Sequence, residues 1–276
     1  MPINAILVQL NISSFSNLRN DDAITAGVKE HHKLTGKAGV WKKYRLPEDC
    51  LAPIRKQIGL ARAAHQEETN SWEEGSRILS LINRTRYNER LDDCHRSFNE
   101  EVRLFCKQWP EFVEQARVMH NGTFNPSDYP ENPGDCFRFE RQFSPVPDSS
   151  HFIASVRSEL AEQLEAANKA RMENSIRDLW ARVLEPVEKM AATLAEKDAV
   201  FRDTLVENVR SIVGILPRLN ITNDERLERA ARQIEASLAS LDADMLRTNK
   251  VIRRSAAEAA GQIVRTFGSL GQRKLA

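Results

Sequence analysis

Apolar residues return every three or four positions through most of the second half of the chain, the spacing that places one apolar stripe along an amphipathic helix. Ile153, Val156, Leu160 and Leu164 open the stripe. It resumes at Ile176, Trp180, Val183, Val187, Met190 and Leu194 in the alternation of a coiled-coil seam, and Phe201, Leu205, Val209, Ile212 and Leu216 extend it. Pro186 is expected to bend this arm. A loop follows from Pro217 to Asn223. Thr222 and Glu225 then stand at capping-box spacing, which predicts a new helix start, and Leu227, Ile234, Leu238, Leu241, Met245, Ile252 and Ile263 form its stripe. So short a loop between long helices predicts an antiparallel hairpin, with an arm of roughly 75 Å if about fifty residues stay helical.

The first half carries two periods. Ile6, Val8, Leu10 and Ile12 alternate with Leu7, Gln9 and Asn11, the pattern of a strand with one buried face. Phe137, Phe139 and Phe143 alternate in the same way and predict a partner strand, and Arg77–Ile82 predicts a third. Between them, Pro47 suits a first helical position, and Leu51, Ile54, Ile58, Ala61 and His65 share one face of a helix ending near Thr69. A longer helical stripe runs from Tyr87 through Leu91, Cys94, Phe98, Val102, Phe105, Trp109, Phe112 and Ala116 to Met119, with Pro110 expected to kink or restart it. Prolines and glycines from Gly122 to Pro147 mark a loop and an exit.

These patterns predict a mainly α protein: an N-terminal α+β domain over residues 1–146 with a small antiparallel sheet, then a helical hairpin over residues 147–276. At 276 residues a full-sized core is within reach. Two paired helices hide only one stripe each, so the seam implies a further cover, and self-association is expected through Trp180, Val183, Val187, Met190, Leu194, Leu238, Leu241, Met245 and Ile252. The alternative is a hairpin folded back on the first domain as a monomer.

Charge narrows the partners. Forty basic and thirty-nine acidic residues nearly cancel, so attraction to nucleic acid must be local. Lys29–Arg45 holds Lys29, Lys33, Lys37, Lys42, Lys43 and Arg45 against Glu30 alone, with Trp41 and Tyr44 interleaved. Lysines that neutralise phosphates beside rings that stack on unpaired bases are the chemistry of a single-strand binder, here Lys37, Trp41, Lys42, Lys43, Tyr44 and Arg45. A solvated loop with its rings on the core is the plainer reading. A second basic run, from Arg247 to Lys274, also complements a helix C-terminus. Cys50, Cys94, Cys106 and Cys136 form no CxxC pair, and no apolar run has the length of a membrane span, so a cytoplasmic protein without membrane contact is expected. Gly36-Lys37-Ala38 lacks the residues of a P-loop. Cys94 and His95 are adjacent, but Cys94 lies on an apolar helix face. No enzyme, cofactor or metal is expected.

Gly39-Val40-Trp41-Lys42-Lys43-Tyr44-Arg45-Leu46-Pro47, Thr69-Asn70-Ser71-Trp72, Arg77-Ile78-Leu79, Asp128-Tyr129-Pro130 and Phe143-Ser144-Pro145-Val146-Pro147 occur in an order that resembles a family of bacteriophage and integrative-element proteins. Members of that family tend to be encoded near MoxR-like AAA+ ATPases or phage recombination functions. The resemblance covers about half the chain and implies a mobile-element origin, with an AAA+ ATPase or DNA as partner. The function expected is therefore a non-enzymatic assembly or adaptor protein acting through helix-mediated oligomerisation or partner binding. The alternative is a single-strand nucleic-acid-binding protein of phage DNA metabolism.

Overall fold

The computed structural model describes residues 4–148, 157–196 and 200–271. The chain is mainly helical with a small antiparallel sheet. Strands β1 (Ala5–Ser13), β4 (Asn70–Glu73), β5 (Ser76–Ser80) and β6 (Arg138–Pro145) form one sheet in the order β4-β5-β1-β6. The strand expected at Phe137–Phe143 thus lies beside the first strand. β1 runs antiparallel to β5 with Ala5 opposite Ser80 and Val8 opposite Arg77. β4 and β5 make a hairpin whose turn needs Gly75 at φ 78°, a left-handed conformation that glycine adopts without Cβ strain. Two further strands, β2 (Leu18–Asn20) and β3 (Lys42–Tyr44), pair as a separate antiparallel ribbon.

The helices are α1 (Asp22–His31), α2 (Ala52–Glu67), α3 (Arg84–His120), α4 (Arg157–Ala195), α5 (Thr204–Leu219), α6 (Glu225–Ile234), α7 (Ala243–Thr248) and α8 (Lys250–Gly271). α3 continues across Pro110 without the restart that was one expectation there, and α4 continues across Pro186. In α3, Phe105 and Trp109 are buried just before the proline, and that packing holds the register although one backbone donor is missing. Pro217 lies inside α5, so the loop after it is shorter than the sequence pattern implies. α6 is capped by Asp224, which accepts from the Arg226 amide, in place of the Thr222 cap. The loop is fixed by Asn220, whose carboxamide accepts from the Asp224 amide at 2.8 Å and donates to the Asp224 carbonyl at 3.2 Å.

The chain divides into two compact units that do not follow a cut at residue 146. The first comprises the segment up to Gln9, His65–Tyr87, and the chain from Gln142 onward; the second comprises Leu10–Ala64 and Asn88–Arg141. The first is interleaved because α4 packs on β4: Ser71 donates to Asp178 at 2.7 Å, and Arg171 pairs with Glu73 at 2.9 Å. Here Ala5, Leu7, Trp72 and Ile78 form a small core with Met172 and Ile221 against it. Leu7 and Val8 are both buried, so β1 is covered on both faces, whereas alternation implied one.

The apolar stripe of the second half is closed within this first unit. α4 packs against α8 and α5, and Trp180, Val183, Val187, Met190, Leu194 and Leu238 lie in a continuous core with Leu205, Val209, Leu227, Ile263 and Phe267. Trp180 stacks on Phe267 with ring centroids 5.6 Å apart. Leu241 and Ile252 pack on the edge of that core, and Met245 is exposed. The stretch read as one long arm up to Leu216 is divided into α4 and α5. The second stripe is divided too, by a π-helical turn at Glu235–Ala239 whose end is tied by Arg210 to the Ala239 and Leu241 carbonyls. With more helices than two, the seam finds its cover inside the chain. Ile153 and Val156, at the head of the stripe, lie outside the described residues.

Candidate binding surface

In the second unit the β2–β3 ribbon has two chemically different faces. Leu18 pairs with Tyr44, Arg19 with Lys43, and Asn20 with Lys42. Because side chains alternate along a strand, Leu18, Asn20, Lys42 and Tyr44 share one face, and Arg19 and Lys43 share the other.

The inner face is a charge cluster. Lys43 reaches Asp128 at 3.0 Å and Asp21 at 3.2 Å, and all three side chains are nearly buried. Arg19 pairs with the other oxygen of Asp128 at 2.5 Å. Like charges opposite one another on two strands repel, and Asp128 lies between Arg19 and Lys43 to offset this. Burial alone lowers the pKa of Lys43, but its bonds to Asp128 and Asp21 outweigh that and raise it above the usual lysine value. Asp21 also caps α1, accepting from the Ile24 amide; that bond, with help from Lys43, lowers its pKa despite desolvation. Arg45 stacks on Phe15, with the guanidinium 3.9 Å from the ring centre, and donates to the Asp128 and Ser16 carbonyls. Desolvation and the neighbouring Arg19 lower its pKa. Lys43 and Arg45, expected to meet a nucleic acid, are therefore engaged in holding the ribbon.

The outer face differs in every respect. Residues 31–42 are all exposed, among them Lys33, Lys37 and Lys42. None of these three lysines is ion-paired among the described residues. Leu18 is 48% exposed, Tyr44 47% and Trp41 51%; Val40, next to Trp41 in the chain, and Leu34 of the loop are also exposed. The Trp41 backbone is pinned on both sides: its amide donates to Thr25 Oγ1 at 2.9 Å, and its carbonyl accepts from the Asp21 amide at 2.9 Å. The indole is thus presented from a fixed backbone. Of the residues expected in a single-strand site, Lys37, Trp41, Lys42 and Tyr44 are exposed; Lys42 and Tyr44 share the outer face of β3, and Trp41 precedes the strand.

Other clusters are occupied by structural work. Arg77 and Arg182 converge on the end of α2, donating to the Gln66, Glu67 and Thr69 carbonyls, so they serve as its C-terminal cap. Burial and the proximity of Arg182 lower the pKa of Arg77 to about 10. His65 meets the Tyr87 hydroxyl at 2.9 Å in a buried site, and desolvation lowers its pKa to about 4. The fully buried Glu68 is met by Asn83 at 3.0 Å and Arg86 at 3.2 Å. Burial raises the pKa of the Cys94 thiol, and His95 stacks on Phe139 at 4.6 Å; an activated nucleophile needs the opposite shift.

In the C-terminal basic run, Arg247 is paired with Asp203 and Asp244, and Arg254 with Glu258; Arg273 and Lys274 lie outside the described residues. A cleft of about 190 Å³ lies between Asp203, Glu207, Arg210 and Asp242, smaller than ordinary small-molecule sites. Among the described residues no group of three metal-ligating side chains converges, and no helix is long and apolar enough to cross a membrane.

No family model, curated protein or solved structure matches the chain.

Proposed function

We propose that the protein is a non-enzymatic adaptor whose working surface is the outer face of the β2–β3 ribbon with its adjoining loop, and that it holds a polyanion there. The observation that carries this reading is the contrast between adjacent lysines: Lys43 is neutralised within the fold, whereas Lys42 is exposed, as are Lys33 and Lys37 of the adjoining loop and the rings of Trp41 and Tyr44. Basic groups left free around exposed rings favour an anionic partner. Immobilised heparin tests the charge requirement alone. The full-length chain is expected to be retained at low salt, and the combined change Lys33→Glu, Lys37→Glu and Lys42→Glu should abolish retention without altering the melting temperature. Unchanged retention of that variant would refute the reading.

The assembly reading rests on the first unit. Val200, Met245 and Val251 are exposed at 97%, 51% and 78%, and they flank Arg247, which donates to the Phe201 carbonyl. Self-association is proposed through this face instead of the closed seam. Sedimentation velocity at micromolar concentration should show a dimer that Met245→Ser with Val251→Ser dissociates, and a wild-type monomer would rule it out. The mobile-element setting implied by the first-half motifs makes an AAA+ ATPase a further proposed partner.

A further inference from the structure

Resting on the polyanion reading, we infer that the ligand of the ribbon face is single-stranded nucleic acid, with Trp41 and Tyr44 stacking on unpaired bases and Lys33, Lys37 and Lys42 meeting the phosphates. A generic polyanion site needs charge alone, and exposed rings would add nothing to it. Here two aromatic residues, Trp41 and Tyr44, enclose Lys42 and Lys43 in the chain, and each ring is about half exposed. Their backbone is held by bonds that do not involve the rings: the Trp41 amide and carbonyl are pinned to Thr25 and Asp21, and Tyr44 pairs in register with Leu18. Lys43 anchors the strand from beneath through Asp21 and Asp128. The backbone that carries the rings is thereby fixed, and the lysines of the exposed loop are free to follow a flexible nucleic-acid backbone. Bases in a duplex are already stacked and paired, so such rings discriminate in favour of single strands. An acidic protein surface would satisfy the lysines but leave Trp41 and Tyr44 without matching flat partners.

The arrangement supplies its own reporter. Of the four tryptophans in the chain, Trp72, Trp109 and Trp180 are buried, at 7%, 7% and 1% exposure, and Trp41 alone is open to a ligand. The full-length protein would be titrated with a fluorescein-labelled oligothymidylate of about twenty nucleotides, with tryptophan emission and anisotropy read together. Heparin, polyglutamate and a duplex of similar length would serve as competitors.

The expected result is quenching of tryptophan emission by the oligonucleotide, lost in Trp41→Ala. Affinity should fall about tenfold or more in Trp41→Ala and in Tyr44→Ala, the scale of losing one base–ring stack. Three phosphate contacts give an expected salt slope of about −2 in log K against log salt, so a fourfold rise in salt should weaken binding about 20-fold. Binding without quenching, unaffected by both ring variants, or matched by polyglutamate or duplex, overturns the single-strand inference and leaves the polyanion reading standing. If neither heparin nor the oligonucleotide binds at low salt, the polyanion reading fails as well. Since both rings are exposed, unchanged melts of the two variants would separate lost binding from lost fold.

Discussion

The helical seam of the first unit and the β2–β3 ribbon of the second keep their shape by different means. In the seam, Val183, Val187, Met190, Ile234, Leu238 and Ile263 are completely buried, and stability comes from apolar area removed from water, about 1.5–3 kcal/mol for each large side chain. The ribbon strands span only three residues each, and β2 buries none of its residues. What holds them is the paired charge of Asp21, Lys43, Asp128 and Arg19, with Arg45 against Phe15. A surface fixed by buried charge from below can leave its upper side chains exposed, whereas a seam fixed by apolar contact cannot without losing its own stability. That difference places the proposed working surface on the ribbon.

Truncation should separate the two regions most sharply. Trp180→Ala removes the largest fully buried side chain of the seam and its stack on Phe267, so a loss of about 4 kcal/mol is expected in chemical denaturation. Asp128→Ala should cost slightly less, about 3 kcal/mol, because it leaves Arg19 and Lys43 facing each other without their shared carboxylate. High salt should recover part of the second loss and none of the first.

Acid offers a third probe. The pKa of His65 is near 4 in the fold against an ordinary 6.5, so the neutral ring favours the folded state fully above pH 6.5. As pH falls from 6.5 toward 4, the unfolded chain takes up the proton first, and up to about 3 kcal/mol is lost from the first unit. His65→Gln, which keeps a polar partner for the Tyr87 hydroxyl, should flatten stability over that interval. A persisting slope would assign the acid sensitivity to other groups.

The sequence disclosed the long elements because their periods repeat: α2, α3, α4, β1, β5 and β6 fall where spacing placed them, although Met119, Phe143 and Leu160 of their stripes are exposed. It did not disclose β2 and β3, since three residues cannot display a period of two. Nor could it show that Lys43 and Lys42 have opposite environments. Asp128, which decides the matter, lies 85 positions downstream in a proline-rich turn and reaches Lys43 only through the fold. The open, basic character of the Lys29–Arg45 segment was therefore legible in its composition, and Lys37, Trp41, Lys42 and Tyr44 are exposed, but the division between anchoring and exposed side chains was not legible. In the helical half, the stripe gave the buried faces of Trp180 through Leu194 but not their cover. Phe201 and Leu205 continue the spacing, and nothing in that spacing reveals that α4 ends at Ala195.

The neighbouring lysines give the decisive measurement: denaturation and heparin retention of Lys42→Ala and Lys43→Ala side by side. Lys43→Ala should lose about 3 kcal/mol of stability, and Lys42→Ala should stay within about 0.5 kcal/mol of the wild type while eluting from heparin at lower salt. Equal destabilisation by the two changes, or unaltered heparin retention in Lys42→Ala, would contradict a ribbon with one anchoring face and one binding face.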